Sequence, residues 1–191
     1  MQGFSWAPRF CLAAYLLSGG GRAADVTLCT QGSDALPVIE FHWAKAEVAW
    51  MYSHIGIHVV WSNGKVSAGA RIIRIHFVKS ALDLSRPACQ PDTLALATRI
   101  TSDSPSITVL YDRIDSITTG RRGLLAPLLA HVLAHEIGHI LKGNDIHEDC
   151  GVMKARWGPG DLEEMRRAPL SFTPADVEQM RSHIAWIHGA T

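Results

Sequence analysis

Apolar positions along the chain change their spacing several times, and each change marks an element. DVTLCT, residues 25–30, reads as a short strand. Phe41, Ala44, Val48, Met51, Tyr52 and Ile55 then recur at intervals of three and four, which predicts a helix over 41–55 with one face laid on a sheet and Gly56 ending it. IHVVW (57–61) is rich in β-branched residues and reads as a strand. SNGK (62–65) follows as a turn, and RIIRIHFV (71–78) is a second strand in which Ile73, Ile75 and Phe77 alternate with Arg74 and His76. KSALDLSRPACQPD (79–92) holds two prolines and several turn formers and is expected to be loop. TLALATRI (93–100) reads as a strand or a helical turn, with an edge strand preferred, and SITVLYD (106–112) as a strand with Ile107, Val109 and Tyr111 on one face. The polar, glycine-bearing SITTGRRG (116–123) is expected to be loop. A long apolar helix follows over 124–142, with Pro127 in its first turn, where a missing N–H does no harm. Thr173 as N-cap, Pro174 at N1 and Asp176 in the first turn open a last helix. No internal repeat appears, and the order of elements predicts one α+β layer structure with a twisted mixed sheet.

The long helix contains residues that its apolar pattern does not explain. LLAHVLAHEIGHILKGNDIHEDCGVM (128–153) sets His135, Glu136 and His139 among aliphatic side chains, where unpaired polar groups would cost several kcal/mol. Their spacing matches HExxH. Residues four apart on a helix lie on nearly one face, about 6 Å apart along the axis, so both imidazoles can reach one ion. Glu136 points about 100° from His135, beside the ion, where it can accept a proton from an activated water without competing as a ligand. The competing explanation is a buried helix whose histidines find ordinary hydrogen-bond partners; His131, one turn earlier, could extend the row of ligands, but an outer role beside them or an ordinary core position is preferred. A catalytic zinc takes three protein ligands and keeps one position open. Gly143 can end the helix in a left-handed conformation and turn the chain back. His147 is the preferred third ligand, because imidazole suits zinc, with Asp145 the alternative and Glu148 and Asp149 weaker ones.

Composition adds compartment more than chemistry. The 191 residues, 47% of them hydrophobic, make one domain with a sizeable core. Eighteen basic residues balance eighteen acidic ones, which argues against a nucleic acid or an anionic membrane as partner. Arg9, the apolar stretch 10–17 and the small residues of SGGGRAA predict a secretory signal over residues 1–23, cleaved near Ala23 or Ala24, and a single domain over 24–191. That apolar stretch is shorter than the roughly 20 residues a bilayer span needs. A secreted or periplasmic chain would lose Cys11 and keep Cys29, Cys89 and Cys150 under oxidising conditions, with three possible pairings and one thiol left over. No CxxC pair is present, so a cysteine-built zinc site is not expected.

With HEIGH at 135–139 followed by a glycine, a histidine and CGVMKA, the chain resembles the metzincin metallopeptidases, whose signature is HExxHxxGxxH and a methionine-bearing turn. It departs in spacing: Gly143 falls one position late and His147 two, so that the family's third-ligand position falls on Asp145, and a subgroup typified by snapalysin uses aspartate there. HExxHxxxGxxxH followed shortly by GxM is also similar to a group of small exported bacterial proteins of uncharacterised function. The resemblance spans Val26 to Trp157 and is strong from Ala134 to Met153. It implies a zincin-like fold with a packing helix, an active-site helix and a C-terminal helix. It also implies Met153 as a hydrophobic base beneath the metal, TLALATRI as a strand that binds substrate backbone, and Trp157 as a candidate pocket wall against ordinary packing.

The function expected is that of a zinc endopeptidase acting on a peptide or protein, with His135, His139 and His147 on Zn²⁺ and Glu136 as general base. Its rivals are an exported metal-binding protein without catalysis and a zinc hydrolase of a non-peptide amide. Tyr111, Asp112 and Arg113, at a strand end near the site helix, are a further polar group, for which a structural ion pair between the last two is the simpler account.

Overall fold

The computed structural model describes residues 25–62, 71–79, 92–98 and 104–189; the expected leader, most of the SNGK turn and the interior of the loop that carries Cys89 lie outside them. Among the described residues the architecture is mixed α and β, with five strands in one sheet and five α-helices. The strands are β1 (Asp25–Gln31), β2 (His58–Ser62), β3 (Arg71–Val78), β4 (Ala95–Thr98) and β5 (Ser106–Leu110). Their order in the sheet is β2-β1-β3-β5-β4, parallel throughout except for β4, which runs antiparallel to β5 at the edge. The sheet is therefore mixed, and 93–100 supplies an edge strand as its sequence suggests. Strands β2 and β3 do not pair with each other, because β1 lies between them and parallel to both.

Helix α1 (Val38–His54) connects β1 to β2 and packs on the sheet through Ala44, Val48, Met51 and Tyr52. It starts three residues before the predicted point. Val38 and Ile39 are 82% and 68% exposed, so no buried stripe marks them, and Pro37 sets the entry instead. Ile73, Ile75, Ile107 and Val109 are fully buried between the sheet and the helices, in line with the alternation along β3 and β5.

Two helices form where the sequence reading placed none. Ser116–Thr118 belong to α2 (Tyr111–Thr118), which starts directly after β5 and buries Ile114 and Thr118 one turn apart. Tyr111 is thus the first residue of a helix and not a third inward residue of β5. Within 143–172, α4 (Pro159–Met165) begins on a proline; its entry is fixed by Asp161, whose carboxylate accepts the Gly158 N–H at 2.7 Å, and it buries Met165. Both helices are shorter than the window over which a 3.6-residue period shows.

Helix α3 (Leu125–Lys142) is the centre of the molecule, with every residue from Leu128 to Lys142 buried except Glu136. The last helix, α5 (Pro174–Gly189), opens as predicted. Thr173 N–H donates to Asp176 Oδ2 at 3.0 Å, and Asp176 N–H donates to Thr173 Oγ1 at 3.1 Å. Among the described residues no helix is long and apolar enough to cross a membrane. Cys29 and Cys150 carry free thiols.

Candidate metal centre

The site is built on α3 and on the chain that returns from it. Gly143 ends the helix with φ 72°, and its N–H caps the His139 carbonyl at 3.0 Å. The returning segment then brings His147 over the two helical imidazoles. His135, His139 and His147 each offer a ring nitrogen, and these lie within 4.8 Å of one another, a group that could hold a metal ion.

The hydrogen bonds around the rings decide which nitrogens face the centre. His135 Nδ1 lies 2.9 Å from the Val152 carbonyl and His139 Nδ1 lies 3.1 Å from the Asn144 carbonyl. A carbonyl only accepts, so both Nδ1 atoms carry the proton and both Nε2 atoms present a lone pair. These Nε2 atoms are 3.0 Å apart, and His139 Nε2 is 3.2 Å from His147 Nε2. Burial pushes the His135 imidazolium down to about 4 and lowers that of His139, so the neutral, ligating form prevails near pH 7. Lone pairs aimed at one another without a proton repel, whereas a cation between them is attracted. Nitrogens held about 2.0–2.1 Å from a tetrahedral zinc stand about 3.3 Å apart, close to the two separations from His139 Nε2. The donor set therefore fits a metal.

Glu136 lines the same cavity as the three imidazoles, beside β4, and the Ala97 N–H is directed at its carboxylate. Burial is the larger influence on it and raises its pKa to about 7. Asp145, the alternative third ligand, sits on the cavity wall outside the histidine group, and Glu148 faces Lys142 at 3.8 Å. The cavity, of about 730 Å³, runs from the imidazoles between the β4 edge and Trp157 and over Val132 and Leu128 of α3. The Trp157 ring stands edge-on to His135, with centroids 5.5 Å apart, so it does wall the site, while its Nε1–H donates to the Gly151 carbonyl.

Met153 is fully buried against α3. Its sulfur occupies the space beside Gly138, where a Cβ would come within 2.5 Å of Sδ. The glycine inside HEIGH thus admits the methionine turn, whose Val152 carbonyl also orients His135. Gly138→Ala is expected to cost about 1–3 kcal/mol through overpacking, measurable as a lower urea midpoint at unchanged m. A variant of unaltered stability would show that Met153 can move aside.

Other candidates resolve differently. His131 is fully buried and satisfied on both sides, its Nδ1 donating to the Pro127 carbonyl at 2.7 Å and its Nε2 accepting the Leu170 N–H at 2.9 Å, so it is a core histidine. Arg113 Nη1 donates to the Thr93 carbonyl at 2.6 Å, which ties α2 to the start of β4; Tyr111, Asp112 and Arg113 do not line the cavity. Sequence reasoning passed over Lys142, Asn144 and Asp176, which hold the loop bearing His147. Lys142 ends an apolar helix and is 4% exposed, and that single charge was the available signal.

No protein-family model matches the chain, and no curated protein matches it significantly. Among solved structures, a chain of the GM1-bound form of the ECX AB5 holotoxin is similar, with 14% sequence identity and a TM-score of 0.44 over 84% of this chain and 80% of that one.

Proposed function

We propose that the protein is a zinc-dependent endopeptidase of metzincin type, exported from the cytoplasm. The observation that carries this reading is the convergence of three Nε2 atoms, two of them with fixed tautomers, beside a carboxylate at the wall of an open cavity. All-nitrogen ligands with an accessible fourth position favour zinc over harder cations. Bound there, zinc supplies Lewis acidity toward a carbonyl oxygen and acidifies water.

The chain's own groups supply the rest. Glu136, with its pKa raised to about 7, is poised to take a proton from the attacking water and pass it to the departing amine. The edge of β4 away from β5 offers a template for an extended substrate. Leu110 N–H bonds to the Leu94 carbonyl, so with Ala95 opposite Val109 and Ala97 opposite Ile107, the Ala95 and Ala97 peptide groups point away from β5, the Ala97 N–H toward the Glu136 carboxylate and the Ala95 groups toward the cavity that β4 borders.

The test begins with elemental analysis of purified protein, expected to give one zinc per chain. A broad peptide library should be cleaved by zinc-loaded protein and left intact after chelation. Zinc bound without cleavage would favour a binding module, and cleavage of other amides alone would favour a different hydrolase. His147→Ala should weaken zinc by more than about 100-fold, beyond what losing an outer hydrogen-bond partner costs. Unchanged affinity would move the third ligand to Asp145.

A further inference from the structure

Helix α5 presents two rows to the molecule. Met180 and Ile184 belong to the buried core, while Asp176, Gln179 and His183, spaced three and four apart, form a polar row beside them. Each member of the polar row is bonded to the segment that leads from α3 to His147. Asp176 Oδ1 accepts from Lys142 Nζ at 2.7 Å, Gln179 Oε1 accepts from Asn144 Nδ2 at 3.2 Å, and His183 Nδ1 donates to the Leu141 carbonyl at 2.9 Å. Gly143 permits this approach: a Cβ there would meet His183 Nε2 at 2.6 Å.

The same groups grip the neighbours of His147. Lys142 Nζ also donates to the Ile146 carbonyl at 3.2 Å, and Asn144 Oδ1 accepts the Ile146 N–H at 3.0 Å. Both peptide groups of Ile146 are thus fixed by side chains that α5 itself holds. On the other side, Glu148 N–H donates to the Met153 carbonyl at 2.8 Å. His147 is exposed and lies on no helix or strand, so its aim depends on these flanks.

We propose that α5 is the positioning element for the third metal ligand: Asp176 and Gln179, acting through Lys142 and Asn144, aim His147 at His135 and His139. The inference rests on the reading of these histidines as a metal site. Metal affinity and docking of α5 are then linked, and linkage is reciprocal: whatever factor α5 contributes to zinc affinity, zinc returns to the docking of α5.

Zinc titration of the purified protein against a chromophoric chelator tests this. Gln179→Ala removes one half-buried hydrogen bond and leaves the fold intact. It is expected to lower zinc affinity about tenfold, as loss of an outer partner does. In a His147→Ala background the same substitution should lose most of that effect, what remains running through the Asn144 carbonyl that holds His139 Nδ1. Amide hydrogen exchange over residues 174–184 supplies a second measurement, since zinc should slow it in the wild type and leave it unchanged in His147→Ala. A tenfold loss in both backgrounds would reduce α5 to a general support of the fold and overturn the proposal. Unaltered affinity in Gln179→Ala, with exchange indifferent to zinc, would overturn it while leaving the metal site standing. A wild-type protein that takes up no zinc would remove both.

Discussion

Glu136→Gln is expected to lower the rate of peptide cleavage by about 10²- to 10⁴-fold, the contribution of a positioned general base, with one zinc per chain retained. Glutamine keeps the size and hydrogen-bonding reach of the side chain but cannot take up a proton. Because burial raises the Glu136 pKa to about 7, the ionised carboxylate is disfavoured in the folded state. The amide removes that penalty, so the metal-free variant should be at least as stable as the wild type above neutral pH. Low activity in this variant is therefore not a folding defect. Steady-state rates and metal content measured on one preparation decide the matter: joint loss of zinc and activity would make Glu136 a ligand or a structural group.

Lys142→Met is the substitution with the largest expected effect on stability, a loss of about 3–5 kcal/mol. Lys142 and Asp176 are both fully buried at their side chains, 2.7 Å apart. Removing the ammonium strands a carboxylate whose remaining donors are the Thr173 N–H and hydroxyl, at 3.0 and 2.9 Å. Lys142→Met/Asp176→Asn should recover much of the loss, since it discharges the stranded group. Urea unfolding at pH 7 checks both, and a loss under about 1 kcal/mol in the single variant would mean that water reaches the pair as it does at a surface.

Much of this was legible in the chain because it is written in short-range pattern. The alternation of Ile73, Ile75 and Phe77 gave β3, and the histidine spacing in HEIGH placed two imidazoles on one face of α3. His147 was reachable from Gly143 and the preference of zinc for imidazole. What escaped depends on contacts far apart in sequence. Nothing near Asn144 announces Gln179, 35 residues on, and Asp176 looked like an ordinary first-turn acid. The insertion of β1 between β2 and β3 is likewise invisible locally, since each strand carries its own alternation whatever its neighbour. Helices α2 and α4 were lost to their brevity, and the turn formers around them outweighed the few residues they bury, Ile114 and Thr118 in α2 and Met165 in α4.

The unequal burial of the three imidazoles sets an order in time. His135 and His139 stand on a rigid, buried helix, while His147 is exposed on an irregular segment. A metal held there would meet the preformed pair first and be latched by the third side chain afterwards, so its exchange would be governed by the opening of one loop, and a chelator would gain its first foothold from the solvent side.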